Sequence, residues 1–384
     1  MGGNVKFSSH RAPPPGCSPR PQPSLAPRPP LPVGSPPQHE DTVAHKSTAD
    51  RVKPSATARL FEALHAGQAL AGQLARLTEP EHRRPLLAQA LREAGEAGQE
   101  VLSLLASNGW RTPPEEVERR FAHLLASKNL SEYGVDAFGF APSEIRKYVP
   151  AFEFLYRVWF RAEVHDIDRV PEGRCLLISN HSGQLPFDAA AIGASMLLDR
   201  EPPRIVRSMV EKFATALPFF GTLCNRCGQV TGLPDNCRRL LDADECVLVF
   251  PEGARGINKT FRERYRMTPF GHGFLRLALE TRTPIVPVAV VGAEEQTINL
   301  FDFKALAKLV QSPSVPITPL MPLLGPLALL PAPVKYRIYY GEPMLFDGDP
   351  NDDDAVVAVK VAQVKSAIQD LLERGLRERR GVLI

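Results

Sequence analysis

Short apolar runs alternate with amphipathic stretches over the larger, C-terminal part of the chain. Runs rich in valine, isoleucine and leucine predict buried strands, and the stretches between them have the spacing of amphipathic helices. The predicted strands are Ala162–His165, Cys175–Ser179, Ile205–Met209, Cys246–Phe250, Ile285–Val291 and Tyr336–Tyr340. The predicted helices include Pro186–Leu198, Asp235–Asp242, Gly273–Glu280 and Asp354–Arg380. This alternation predicts an α/β domain over residues 143–384, with a mainly parallel sheet flanked by helices.

The N-terminal part of the chain has a different pattern. Residues 1–57 are rich in proline, serine and arginine and contain almost no aromatic residues. Such a segment buries too little apolar surface to offset its ordering entropy, so we predict a disordered tail. Residues 58–142 are predicted to form a helical extension, with leucine stripes and a helix over Pro114–Ala126. The sequence leaves open whether this extension packs on the α/β domain, lies at an interface or forms a dimer contact.

An aromatic and basic helix is predicted over Ser143–Arg161, immediately before the first strand. Pro150 falls inside this pattern and should kink or divide the helix. Arg157 and Arg161 lie close to the aromatic rings in sequence. The composition suits contact with a membrane surface, and it equally suits packing of the helix on the sheet of its own domain.

A second apolar stretch raises the question of whether the chain crosses a membrane. No charged residue occurs from Leu309 to Val334, which is long enough for a membrane span, but seven prolines interrupt it. A backbone broken that often would leave carbonyl groups unpaired in lipid, so we reject a transmembrane helix. We expect an apolar loop that rests in the membrane interface or lines an acyl groove.

Charge and cysteine content narrow the function classes. A net charge of +3 over 384 residues does not predict nucleic-acid binding. The first ten residues are polar, so no signal peptide is expected. Cys224 and Cys227 have the spacing of a zinc or redox pair, but no histidine lies at finger spacing. We therefore expect buried, reduced thiols, no bound metal and a cytoplasmic setting. The cysteines are Cys17, Cys175, Cys224, Cys227, Cys237 and Cys246.

Candidate chemistry follows the second predicted strand. His181 comes directly after that strand, in the crevice at the carboxyl ends of strands where α/β sheets bind ligands. Asp188 would lie in the first turn of the next helix, which Pro186 is suited to begin. If Asp188 folds back onto His181, it fixes the imidazole tautomer and makes a general base. The alternative is an aspartate that caps a helix beside an ordinary turn histidine.

Two further segments follow along the chain, the first at the end of a strand and the second forming a strand itself. One is Phe250-Pro251-Glu252-Gly253, and the other is the proline-rich strand Pro284–Gly292. With the Asn180-His181 motif, and in this order and spacing, these segments resemble the lysophospholipid (glycerophosphate) acyltransferase superfamily over roughly residues 150–345. The resemblance implies the glycerophosphate acyltransferase fold and transfer of a fatty acyl group to a hydroxyl of a lipid such as lysophosphatidic acid. The implied donor is acyl-CoA or acyl carrier protein, with no other cofactor.

The resemblance also implies residue roles. His181 would be the general base and Asp188 would orient it. The acceptor would bind at Phe250, Pro251, Glu252 and Gly253.

Two departures from the family pattern concern the base and the acceptor. Six residues separate His181 from Asp188, where the family has four. Gly232, at the end of the predicted strand Cys227–Gly232, stands where the family has an arginine that helps to hold the acceptor's phosphate. Arg255 and Lys259 are the predicted substitutes for that arginine, and a solvated basic loop is the alternative.

Two other functions compete with acyl transfer. A hydrolase would use Ser182 as its nucleophile, but adjacent residues rarely point at each other, and the chain has no Gly-x-Ser-x-Gly motif. A lipid-binding or scaffolding protein would retain the fold without turnover. For the acyltransferase, a lipid acceptor without a membrane span predicts a monotopic enzyme at the cytoplasmic side of a membrane surface.

Overall fold

The computed structural model describes residues 83–107, 109–126, 128, 130–182, 186–212, 215, 220–257, 259–299, 301–302, 316–318 and 330–384. The predicted tail at residues 1–57, the leucine stripes before residue 83 and most of the uncharged segment at 309–334 lie outside these ranges. Within them, no helix combines the length and the apolar character that crossing a bilayer requires.

A seven-stranded sheet lies at the centre of the described chain. Its strands are β1 (Glu163–His165), β2 (Cys175–Ser179), β3 (Val206–Val210), β4 (Val230–Thr231), β5 (Cys246–Val249), β6 (Ile285–Val291) and β9 (Arg337–Tyr340). They are ordered β1-β9-β6-β2-β5-β3-β4. Every neighbouring pair is parallel except β6 with β9. A separate two-stranded ribbon pairs β7 (Phe301–Asp302) with β8 (Pro316–Ile317). The predicted α/β class with a mainly parallel sheet is confirmed.

Helices cover both faces of the sheet. In chain order they are α1 (Arg83–Ser107), α2 (Pro114–Ala126), α3 (Pro142–Glu153), α4 (Phe187–Leu198), α5 (Phe220–Arg226), α6 (Pro234–Asp242), α7 (Ala254–Ile257), α8 (Gly273–Thr281) and α9 (Asp354–Glu378). Alternate residues of β2 point to opposite faces. Leu177 packs with residues of α2, α3 and α4, whereas Leu176 and Ile178 pack with residues of α6, α8 and α9. The sheet is therefore buried between two apolar layers.

Most predicted boundaries agree with the structure to within one or two residues. The strands β2 and β6 and the helix α2 begin and end at the predicted residues. The strand predicted over Cys227–Gly232 is shorter, since only Val230–Thr231 pairs with β3.

The aromatic segment before the sheet packs on the domain. Its α-helix runs through Pro150 to Glu153 and then changes to a π-helix over Phe154–Trp159. Tyr156, Val158 and Phe160 are buried. Thus the predicted division is present, but it lies beyond the proline. The inward-facing aromatic rings show that this segment packs against its own domain.

The two arginines of this segment also contact the protein. Arg157 pairs with Asp199 at 2.7 Å. Arg161 is buried and donates to the carbonyl oxygens of Pro333 at 2.8 Å and Leu383 at 2.7 Å. Both side chains therefore fasten the segment to other parts of the fold.

The helix α2 packs on the α/β domain as well. Phe121 and Leu124 belong to the same apolar layer as α4. Arg120 is buried and donates to the carbonyl oxygens of Leu197 and Arg200 at 3.2 and 3.0 Å. At least this part of the helical extension is therefore fixed to the sheet layer.

Candidate active site

The strand β2 delivers His181 to the carboxyl edge of the sheet. All five residues of β2 are buried, and it lies between the parallel strands β5 and β6. The buried side chain of Asn180 continues the contact with β6. Its Oδ1 accepts the Val290 N–H at 2.9 Å, and its Nδ2 donates to the Val290 carbonyl oxygen at 3.2 Å. Asn180 thus fixes the backbone immediately before His181.

His181 and Asp188 form a hydrogen-bonded pair. The distance between His181 Nδ1 and Asp188 Oδ2 is 2.8 Å, and the Asp188 side chain is fully buried. Asp188 also accepts the backbone N–H groups of Ser182, at 3.0 Å, and Ala189, at 2.8 Å. When Asp188 is ionised, its carboxylate can only accept hydrogen bonds, and the imidazole proton of the pair then lies on Nδ1. The other ring nitrogen, Nε2, is then the atom that can take a proton.

The ring of Phe250 stacks on the imidazole of His181. Their centroids are 4.1 Å apart and the ring planes differ by 21°. Phe250 follows β5, which pairs with β2, so the two residues leave adjacent strands at the same edge. The stacking restricts rotation of the imidazole and gives it an apolar wall. Phe250 therefore contacts the His181 imidazole directly, at the place where the sequence predicts the acceptor.

Glu252 is buried and holds the backbone at His181. Its Oε1 accepts the backbone N–H of His181 at 3.1 Å, and its Oε2 accepts that of Thr268 at 2.7 Å. The sequence predicts that Glu252 binds the acceptor, and that role stays a prediction. The observed contacts join the loop after β2 to the loops that follow β5.

Lys259 lies between two buried carboxylates. Its ammonium nitrogen is 3.4 Å from Glu252 Oε2 and 3.0 Å from Glu294 Oε1. Glu294 Oε2 also accepts the Tyr265 N–H at 2.7 Å. Burial raises the pKa of the Glu294 carboxyl, and the nearby charge of Glu252 acts in the same direction. The phosphate contact predicted for Lys259 is untested, and its ammonium already has two anionic partners.

Two glycines allow the loop after β5 to approach His181. Gly253 has φ +56, a conformation in which a Cβ is strained. Gly256 lies in α7, where a Cβ would come within 3.0 Å of the Cβ atoms of His181 and Glu252. Sequence reasoning did not identify Gly256 as a site residue. The absence of its side chain is what lets α7 pack against His181.

Charged groups also lie near the loop that follows β5. Arg255 is exposed and donates to the carbonyl oxygen of Pro269 at 3.0 Å. Glu211 follows β3, and its Oε1 lies 3.6 Å from where a Cβ on Gly253 would be. Gly232 follows β4 and donates its N–H to the Val210 carbonyl oxygen at 2.8 Å. The Glu211 carboxylate therefore lies beside the predicted acceptor loop. Gly232, the residue after β4, contributes no side chain.

Ser182 is poorly placed for the nucleophilic role that a hydrolase would require. The residue is 1% exposed, and its backbone N–H donates to Asp188. A nucleophile must reach its substrate, and this hydroxyl is shielded from solvent.

The cysteines within the described ranges are buried, as predicted. They are Cys175, Cys224, Cys227, Cys237 and Cys246. Burial raises the pKa of Cys227 to about 11 and that of Cys237 to about 12. Across the described ranges, no group of three or more histidine, cysteine, aspartate or glutamate side chains is arranged to hold a metal ion.

Comparison with known proteins identifies the family. The family model described as Acyltransferase matches residues 161–291, a range that contains His181, Asp188 and the segment 250–259. An uncharacterized protein of Mycobacterium tuberculosis is 37% identical over 267 residues, which cover 68% of this chain and 75% of that protein. The chain therefore belongs to the glycerophosphate acyltransferase superfamily, as the resemblance predicted.

More distant similarities extend to a vertebrate protein and to a crystal structure. The "DGAT1/2-independent enzyme synthesizing storage lipids" of Gallus gallus is 26% identical over 220 residues, covering 57% of this chain and 61% of that enzyme. The crystal structure of the 1-acyl-sn-glycerophosphate acyltransferase PlsC from Thermotoga maritima aligns with a TM-score of 0.41 and 14% identity. That alignment covers 62% of this chain and 83% of PlsC.

Proposed function

We propose that this acyltransferase moves a fatty acyl group from acyl-CoA or acyl carrier protein to a lipid hydroxyl, with His181 as the general base. The observation that carries the proposal is the 2.8 Å contact between His181 Nδ1 and buried Asp188 at the carboxyl edge of the sheet. An alcohol is a weak nucleophile near neutral pH, and a positioned base activates it by removing its proton.

The proposed reaction is a direct transfer. His181 Nε2 takes the proton of the acceptor hydroxyl while the hydroxyl oxygen attacks the thioester carbonyl carbon. The buried Asp188 carboxylate stabilises the resulting imidazolium. The carbon–sulfur bond then breaks, and the thiolate leaves with the proton from His181. The products are an ester and a free thiol, and no acyl-enzyme forms.

The acceptor proposed first is a glycerolipid such as lysophosphatidic acid, bound along the segment Phe250–Gly253 and at Arg255. An acyl acceptor without phosphate, a neutral lipid alcohol, is the second candidate. Two observations favour it: Lys259 is already paired with two carboxylates, and Glu211 stands beside Gly253. A carboxylate in this position would accept a hydrogen bond from a hydroxyl and repel a phosphate. The storage-lipid name of the Gallus gallus relative is compatible with this second acceptor.

We also propose that the enzyme acts at the surface of a membrane, on its cytoplasmic side. A lipid acceptor lies in the bilayer, so a peripheral enzyme must meet it at the interface. The uncharged segment Leu309–Val334 is the proposed contact, because it carries more leucine than a loop normally exposes.

The test is an acceptor panel with purified full-length protein and labelled oleoyl-CoA. The acceptors are lysophosphatidic acid, glycerol 3-phosphate, monoacylglycerol and diacylglycerol, each in the same detergent micelles. Labelled ester should form with at least one acceptor, and His181→Ala should abolish it without lowering the melting temperature. Release of labelled fatty acid without acceptor would indicate a hydrolase. Acceptor binding without turnover would indicate a lipid-binding protein.

A further inference from the structure

We propose that Lys259 is a positioning residue for His181. With Glu252 and Glu294 it forms a buried set of charges, called here the ionic cluster, which fixes the backbone of the base. This inference rests on the proposed function of His181, and it replaces the acceptor contact predicted for Lys259 with a role inside the protein.

Burial places Lys259 out of reach of a bound lipid headgroup. The exposed fractions of the Lys259, Glu252 and Glu294 side chains are 7%, 0% and 4%. A phosphate that bound this ammonium would have to displace one of two carboxylates that are already in ion-pair range. A buried ammonium also needs such partners, because an unpaired charge in this environment is strongly destabilising.

Glu252 connects the cluster to the base. Its Oε1 accepts the backbone N–H of His181 itself, and its Oε2 accepts the backbone N–H of Thr268. Any shift of this carboxylate therefore moves the main chain from which the imidazole projects. A misplacement of about 1 Å at a reacting group costs roughly a hundredfold in rate.

Lys259 offsets the repulsion between the two carboxylates of the cluster. Glu294 follows β6, and its raised pKa has burial as its first cause, with a contribution from the charge of Glu252. Without the ammonium, the two carboxylates repel each other and one must take up a proton or move. The cluster thus joins the loops after β2, β5 and β6, and Lys259 offsets one of its two negative charges.

The first test separates positioning from acceptor binding by steady-state kinetics. Lys259→Met removes the ammonium and keeps an apolar side chain of similar length. We expect kcat to fall by about tenfold or more, with the acceptor KM within about twofold of its original value. A KM for lysophosphatidic acid that rises with unchanged kcat would overturn the proposal. The matched control is Lys147→Met, whose partner Glu144 forms an exposed ion pair, and it should change neither constant.

A second variant tests the charge balance directly. Lys259→Met combined with Glu294→Gln removes one positive and one negative charge, and the glutamine oxygen can still accept the Tyr265 N–H. We expect the double variant to regain at least about a third of the kcat that Lys259→Met loses, a non-additive result for residues in contact. Additive losses would overturn the proposal. Because it keeps the net charge that the cluster has in the original protein, the double variant also keeps the question answerable if Lys259→Met fails to fold.

A third measurement does not require turnover. Amide hydrogen exchange of the peptide that contains His181 reports the hydrogen bond from its backbone N–H to Glu252. We expect exchange at His181 to be faster in Lys259→Met than in the original protein, with peptides of α9 unchanged. Unaltered protection at His181 would overturn the proposal. If instead the original protein acylates no acceptor, the proposed function fails, and the exchange result still decides the role of the cluster.

Discussion

The close approach of α7 to His181 makes Gly256 the position where the smallest change should have a large effect. Gly256→Ala adds one methyl group, whose carbon would lie 3.0 Å from the Cβ of His181, 3.0 Å from the Cβ of Glu252 and 3.2 Å from the carbonyl oxygen of His181. Favourable carbon–carbon contacts begin at about 3.5 Å. The backbone at His181 or α7 must therefore yield by roughly 0.5 Å, the difference between these two distances.

Two opposing effects determine how much Gly256→Ala changes the free energy of unfolding. Alanine favours a helix over glycine by about 1 kcal/mol, whereas overpacking a tight contact costs about 1–3 kcal/mol. The net effect on stability is therefore a small loss, about 0–2 kcal/mol. The expected loss of catalytic rate is larger than this small loss of stability suggests. If a shift of about 1 Å costs roughly a hundredfold in rate, a shift of about 0.5 Å costs roughly tenfold.

The assay compares two glycine substitutions made in helices. Gly193 lies in α4, and a Cβ at that position would meet no atom within 4 Å. Gly193→Ala should therefore raise the melting temperature slightly and leave kcat unchanged, whereas Gly256→Ala should lower kcat by about tenfold. Equal activity in the two variants would show that the contact with His181 does not constrain the base.

Three further outcomes are expected. Asp188→Asn should lose most acyl transfer because the imidazolium loses its counter-charge; a lower melting temperature with unchanged rate would instead show a structural role. At pH 8, iodoacetamide should modify Cys227 and Cys237 far more slowly than a free cysteine, because their raised pKa values leave little thiolate at that pH; mass spectrometry of the alkylated protein measures this. Leu323→Asp combined with Leu324→Asp should weaken liposome sedimentation more than high salt does, since apolar contact is little screened; release of the original protein by salt alone would point to charged contacts.

The fold was predictable from sequence wherever a segment is buried on both faces. The strands β2 and β6 are continuous apolar runs, and their predicted first and last residues are those of the structure. The strand β4 was overestimated because only Val230 and Thr231 pair, at the edge of the sheet, where burial constrains the sequence less. The π-helix at Phe154–Trp159 has no distinct sequence pattern, since its residues also suit an α-helix.

Proximity in sequence decided which parts of the candidate site could be predicted. His181 and Asp188 lie seven positions apart, so a local motif was enough to propose that they meet. Contacts between residues that are far apart in the sequence have no local motif that predicts them. Asn180 bonds to Val290, and Lys259 to Glu294, over 110 and 35 positions respectively. For Lys259 the sequence predicts a phosphate contact, because Glu294 lies 35 positions away and nothing near Lys259 in the sequence indicates that a second carboxylate pairs with it.

The contacts that hold His181 and Asp188 in place have a consequence for how members of this superfamily are recognised from sequence. The backbone of His181 is held by Glu252, and that of the residue before it by the side-chain contact with β6. Asp188 is placed separately, by the first turn of α4. Here six residues connect His181 and Asp188, where the family pattern has four, and the pair still has an Nδ1–Oδ2 distance of 2.8 Å. A sequence search that requires four residues between the histidine and the aspartate therefore misses this chain, and a pattern with a variable gap recovers it.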